Sequence, residues 1–88
     1  MDFDDFKYQL ARHAREVIDE RKIKPAWIDQ VVSFPQKVVN DKDDPQLEHA
    51  LGTIKEYGNK ILRVIYNKTT NPYIIITAYF DRKLKGTL

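Results

Sequence analysis

The chain contains no cysteine, and that absence removes two kinds of site. Without thiols it can form neither disulfides nor cysteine-ligated zinc sites. Histidine is scarce as well, with only His13 and His49 in the chain. A metal site would need carboxylates beside these two residues, and the acidic residues show no such ligand spacing. We therefore predict neither a metal nor a cofactor.

Long apolar runs are also missing. No segment approaches the ~20 apolar residues that a membrane-spanning helix needs. The start, Met-Asp-Phe-Asp-Asp, lacks the basic and apolar segments of a signal peptide. These absences predict a soluble, cytoplasmic protein with no membrane partner.

Charge is abundant but nearly balanced. The 88 residues include 15 Lys or Arg and 13 Asp or Glu, for a net charge of +2, which is low for a strong nonspecific nucleic-acid binder. Residues 55–85, however, carry seven Lys or Arg against Glu56 and Asp81. A chain of this length forms one small core. We predict a single domain over residues 1–88, with a flexible polar tail at 81–88.

Two helices are predicted in the first part of the chain. Apolar residues recur every three or four positions over residues 3–21, which is typical of a helix with one apolar stripe. Pro25 suits the first turn of a second helix, and Phe34-Pro35 ends it.

The rest of the chain is predicted to be strands, at residues 37–40, 47–57, 60–67 and 73–80, with a turn at Gly58-Asn59. The more apolar faces of the last two strands are expected to meet the helices: Leu62, Val64 and Tyr66 on one, and Ile74, Ile76, Ala78 and Phe80 on the other. The fold class is therefore α+β, with two N-terminal helices packed on one face of a three- to four-stranded antiparallel sheet. Arg63, Thr77 and Tyr79 lie on the other face among isoleucines, which favours a binding surface there.

Three short motifs occur in order along the chain. The first runs from His13-Ala14 to Arg21-Lys22-Ile23, the second is the strand 61–66, and the third is the strand end 76–79. Together they resemble the domain of unknown function 4258 family over about residues 11 to 80. That family is similar to RelE/ParE-like toxins and the wider barnase–colicin–RelE group. Val17 departs from the pattern, because related helices often carry an arginine four residues after the histidine.

The resemblance implies a toxin of a toxin–antitoxin pair that cleaves RNA without a metal. Such cleavage needs a proton acceptor, a proton donor and cations that stabilise the phosphorane. The residues predicted to be catalytic are His13, Arg63 and Tyr79. The residues predicted to bind the RNA substrate are Arg21, Lys55 and Thr77. The expected partners are RNA, including messenger RNA on the ribosome, and a small antitoxin protein or a second copy of the chain.

Structural roles explain the same residues equally well. Arg21 suits a helix C-terminus, and Arg63 suits a cross-strand pair with an acid such as Glu56. His13 suits a boundary position with a hydrogen-bonded neighbour, and His49 suits a surface strand. If both helices cover one face, His13 shares a site with Arg63 only where the helix packs across an edge. A noncatalytic protein-interaction or RNA-binding module of the same fold is the alternative function.

Overall fold

The computed structural model describes residues 3–84 and Leu88. Its elements are β1 (Gln9–Leu10), α1 (Ala14–Glu20), α2 (Pro25–Ser33), β2 (Lys37–Asn40), β3 (Leu47–Ile54), β4 (Lys60–Asn67) and β5 (Ile74–Phe80), with 3-10 turns at Phe3–Asp5 and Lys55–Tyr57. The strands form one open sheet in the order β1-β5-β4-β3-β2. The β1–β5 pair is parallel and the other three pairs are antiparallel. The class is α+β as predicted, but within the described residues the sheet is mixed and has five strands, whereas three or four antiparallel strands were expected.

The first helix is much shorter than the predicted span of residues 3–21. Helix α1 begins at Ala14, after His13 adopts a left-handed conformation with φ 69°. Gln9–Leu10 instead pairs with Ile74–Ile75 as the edge strand β1. Phe3 in the 3-10 turn, Phe6 after it and Leu10 in β1 all pack against the core, so the apolar spacing is satisfied without an α-helix. With seven residues in α1 and nine in α2, no helix in the described part of the chain is long and apolar enough to cross a membrane.

The core joins both helices to three strands. Helix α1 packs against β5, and α2 packs against β3 and β4. Ile18 of α1, Ile28 of α2 and Leu62 of β4 are completely buried. At Gly52 on β3, an added Cβ would lie 2.9 Å from Val31 Cγ2, so the absence of a side chain allows α2 to approach the sheet.

A β-bulge changes which residues of β5 face the core. Ile65 pairs with Thr77 while the next residue, Tyr66, pairs with Ile75, so Ile76 is the extra residue. Because a bulge reverses the alternation beyond it, Ile75 is completely buried. The prediction that Ile74 and Ile76 face the core was therefore wrong, whereas Ala78 and Phe80 do contact it.

Strand β3 ends earlier than predicted. It stops at Ile54, and Lys55–Tyr57 form a 3-10 turn that continues into Gly58 (φ 66°) and Asn59 (φ 57°). Ile54 consequently pairs with Lys60, and Leu51 lies opposite Arg63. Of the predicted tail, residues 85–87 lie outside the described residues.

Candidate functional site

Arg21 reaches from the end of α1 to the edge of β5. Its NH1 group donates to the carbonyl oxygen of Ala78 at 2.8 Å and contacts the Thr77 hydroxyl oxygen at 3.3 Å. Strand β1 pairs only with Ile74 and Ile75, so within the described residues the outer edge of β5 is open beyond them. A carbonyl on that open edge needs a donor, and Arg21 supplies it.

The end of α1 is built so that Arg21 points toward β5. Lys22 adopts a left-handed conformation, with φ 57°. Its N–H donates to the carbonyl of Asp19 at 3.0 Å, and the N–H of Ile23 donates to that of Ile18 at 3.1 Å. This pair of bonds is a Schellman motif, and the buried contact of Ile18 and Ile23 anchors it. The motif stops the helix directly after Arg21.

Tyr79 lies next to the Arg21 guanidinium. The Arg21 Cζ atom is 6.0 Å from the centre of the Tyr79 ring, at the outer limit of a cation–π contact. Tyr79 pairs across the sheet with Arg63, and Thr77 pairs with Ile65. The structure thus brings together three of the six predicted site residues, Arg21, Thr77 and Tyr79.

Two of these three residues, Arg21 and Tyr79, line a cleft of about 710 Å³ at this end of the sheet. The volume falls within the range of small-ligand sites. We call it the basic cleft, and define it by these lining residues: Arg21, Tyr57, Gly58, Asn59, Lys60, Ile61, Tyr79, Phe80, Asp81, Arg82 and Leu84.

The basic cleft carries an excess of positive charge. Within the described residues, none of its three cations, Arg21, Lys60 and Arg82, forms an ion pair. Its acidic residue, Asp81, is bound by Arg63. Lys60 Nζ lies 4.5 Å from the centre of the Tyr57 ring. Exposed cations beside aromatic rings favour an anionic ligand with planar groups.

Two predicted site residues lie away from the cleft. His13 is at the opposite end of α1 from Arg21, about 12 Å away along the helix axis, and its Nδ1 is 3.4 Å from Glu16 Oε2. Lys55 lies exposed in the 3-10 turn and is not part of the cleft wall. Neither is brought to Arg21 or Tyr79.

Arg63 does not line the cleft but bonds Asp81 of its wall, and its donors are directed at protein atoms. Its Nε and NH2 groups donate to Asp81 Oδ2 at 3.1 and 3.0 Å, and its NH1 donates to His49 Nδ1 at 2.8 Å. The acid that pairs with Arg63 is therefore Asp81. Glu56 instead accepts a hydrogen bond from the indole N–H of Trp27.

Sequence reasoning missed His49, which is a partner of Arg63. Its side chain is only 13 % exposed, and its Nε2 lies 2.7 Å from Asp41 Oδ1. That bond, together with backbone N–H groups of Asp44 and Asp43, holds the pKa of Asp41 below its ordinary value of 3.8. The register that pairs Leu51 with Arg63 puts His49 on the same face, and that register was the missing signal. No group of three acidic or histidine side chains in the described part of the chain is arranged to hold a metal ion.

The fold and the cleft define a small α+β domain with a cationic site at one end of its sheet. The family of domains of unknown function DUF4258 matches residues 10–80, and the chain belongs to that family. A search of curated proteins and a search of solved structures each found no match.

Proposed function

We propose that the protein binds single-stranded RNA in the basic cleft and cleaves it without a metal, as the toxin of a toxin–antitoxin pair. The observation that carries the proposal is the convergence of Arg21, Lys60 and Arg82 with two tyrosines around one cavity. Phosphate groups bind such cations, and unstacked bases bind the faces of aromatic rings. The motif order in the sequence supports the RelE/ParE-like form of the fold, with both helices on one face, and the toxin setting.

Arg21 is the proposed phosphate ligand. Its NH1 group is fixed to Ala78 and Thr77, which leaves the Nε and NH2 donors for the oxygens of a phosphodiester. A guanidinium held in this way loses little side-chain freedom when it binds the ligand. Lys60 and Arg82 would bind neighbouring phosphates of the same strand.

Tyr79 is the proposed proton donor. In the reaction the 2′-oxygen attacks the adjacent phosphorus and gives its proton to water, while the bond from phosphorus to the 5′-oxygen breaks. Tyr79 protonates the departing oxygen and regains a proton from solvent, while Arg21 stabilises the phosphorane. The products are a 2′,3′-cyclic phosphate and a 5′-hydroxyl end. The cleft wall contains no histidine, so this proton transfer depends on Tyr79 and water.

The proposed setting also includes a small antitoxin protein, or a second copy of the chain. Phe34, at the end of α2, and Val38, within the edge strand β2, are 79 % and 44 % exposed. They are the apolar surface that such a partner would cover.

Fluorescence anisotropy with a labelled single-stranded RNA tests the binding. Arg21→Gln should weaken binding about tenfold, the value of one charge-assisted hydrogen bond. It should also lower the slope of log affinity against log salt by about 0.7. Arg12→Gln is the matched control, because Arg12 is exposed at the far end of α1 and carries the same charge.

Gel analysis of the same RNA tests the cleavage. In the presence of a chelator, the wild type should yield products that end in cyclic phosphate, and Tyr79→Phe should bind RNA but produce none. Equal RNA affinity of Arg21→Gln and Arg12→Gln would refute binding at this cleft. Binding by the wild type without products would leave an RNA-binding module in place of the nuclease.

A further inference from the structure

Four side chains form a continuous hydrogen-bonded line across the face of the sheet. Asp41, directly after β2, bonds His49 on β3. His49 bonds Arg63 on β4, and Arg63 bonds Asp81, directly after β5. The nitrogen–oxygen or nitrogen–nitrogen distances along the line are 2.7, 2.8 and 3.1 Å. All four side chains are 13 to 19 % exposed. We call this line the Asp41–Asp81 relay.

The bonding partners fix the protonation state of His49. A guanidinium can only donate, so His49 Nδ1 must accept the hydrogen bond from Arg63. Its Nε2 therefore carries the proton and donates to Asp41. The imidazole is neutral in this arrangement, and a second proton on Nδ1 would face the Arg63 donor.

The relay ends at the wall of the basic cleft. Asp81 accepts a bond from the backbone N–H of Lys83 through its Oδ1 atom, and its own N–H donates to Ile61. The backbone N–H of Leu84 also lies 3.4 Å from the Asp81 carbonyl oxygen. The position of the Asp81 carboxylate thus sets the path of residues 81–84, which includes Arg82 and Leu84 of the cleft wall.

We propose that Asp41, His49 and Arg63 are positioning residues that hold Asp81, and through it Arg82, in the geometry that binds RNA. This proposal rests on the proposed function, because it assigns the residues that shape the same cleft. Arg63 acts through Asp81 and does not itself touch the phosphate.

Protonation of His49 is the point at which the relay can be broken. The charged groups that face His49 or share its face of the sheet are Lys37 on β2, Asp41 beyond β2, Arg63 on β4 and Asp81 beyond β5. Asp41 attracts the added proton, whereas Arg63 and Lys37 repel it. An imidazolium cannot accept a hydrogen bond from Arg63, so the guanidinium loses its bond to His49. Arg63 is then less firmly fixed, and so is the Asp81 carboxylate that it bonds. RNA affinity should accordingly fall as the pH is lowered.

The test is RNA affinity measured from pH 8 to pH 5, the range in which histidine changes charge. The wild type should bind about tenfold more weakly at the acidic end, for the loss of one bond to a charged group. His49→Asn removes the titrating ring but keeps an acceptor at the Nδ1 position, so its RNA affinity should show no step between pH 8 and pH 5. His13→Asn changes the only other histidine and should retain the step.

Arg63→Lys keeps the charge but cannot bridge His49 and Asp81 at once. It should bind about tenfold more weakly at pH 8, and circular dichroism should show that it is folded. Wild-type affinity in folded Arg63→Lys would overturn the proposal, as would a pH step that disappears in His13→Asn and not in His49→Asn.

Nitrogen NMR without RNA separates this proposal from the proposed function. Nitrogen shifts of the His49 ring should report the Nε2–H form at pH 8, and the backbone amides of residues 81–84 should shift at the midpoint of His49 protonation. Amides of 81–84 that do not respond would overturn the relay even if RNA binds. Responding amides in a protein that binds no RNA would support the relay geometry and refute the RNA-binding function.

Discussion

At the scale of single residues, Arg21 combines a structural contact through one nitrogen with further donors that are proposed to bind the ligand. One nitrogen closes the exposed edge of β5 through Ala78, and the remaining donors face the basic cleft. Arg63 differs from Arg21, because its Nε, NH1 and NH2 groups all bond protein atoms. Two arginines of similar appearance in the sequence therefore have different uses. The difference comes from their neighbours, Thr77 and Ala78 in one case and His49 and Asp81 in the other.

The lowered pKa of Asp41 predicts that the protein loses stability in acid. Its pKa is held below 3.8 chiefly by the bond to His49, so it binds protons less readily when folded than when unfolded. Its contribution to the free energy of unfolding is therefore present above pH 3.8 and is lost as the pH falls through the lower, folded pKa. Urea unfolding between neutral pH and strong acid should show a smaller decrease for Asp41→Asn than for the wild type.

Asp43→Asn is the matched control for that measurement, because Asp43 is exposed in the same loop. Its acid dependence should follow that of the wild type. An acid dependence of Asp41→Asn identical to the wild type would contradict the role given to the Asp41–His49 bond.

At the scale of elements, the way in which α1 ends determines where Arg21 lies relative to the basic cleft. The Schellman motif places Lys22 in a left-handed conformation that glycine adopts without strain. Lys22→Gly should therefore raise the free energy of unfolding by about 0.5–1 kcal/mol. Chemical denaturation measures this directly. Glu20→Gly, at a right-handed helical position two residues earlier, should lower it by about 1 kcal/mol. Destabilisation by both changes would contradict the left-handed geometry at Lys22.

The elements also show what sequence reasoning could and could not obtain. Pro25 and the apolar period placed α2 correctly, and the β-branched run placed most of β5. Residues 3–10 were assigned to a helix because their apolar spacing also suits a helix, and only pairing with β5 decides against it. The bulge at Ile76 has no local signal, since Ile74, Ile75 and Thr77 beside it are all β-branched, as Ile76 itself is.

The register of β3 and β4 explains why His49 was missed. A two-residue turn at Gly58-Asn59 would pair residue 57 with residue 60 and place Ile54 opposite Arg63. The 3-10 turn at Lys55–Tyr57 moves the pairing by three residues, which places Leu51 there instead. A shift by an odd number exchanges the two faces of a strand relative to its partner. The side chains next to Arg63 therefore could not be read from the sequence.

At the scale of the whole molecule, the basic cleft is formed where distant parts of the chain meet. It joins the end of α1, the turn before β4, the end of β5 and the segment 81–84, so its residues run from Arg21 to Leu84. Motif order identified the domain-of-unknown-function family correctly, and two of the six site residues predicted from the sequence, Arg21 and Tyr79, line the cleft. It could not supply Lys60 and Arg82, which join the site only through the three-dimensional fold.

RNA binding is proposed at this end of the sheet. The most direct measurement is NMR of nitrogen-labelled protein titrated with a short single-stranded RNA. The largest amide shifts should occur at Arg21, at Lys60 and Ile61, and at Arg82, with little change at His13. Shifts that centre on the start of α1, or no shifts at saturating RNA, would contradict the account.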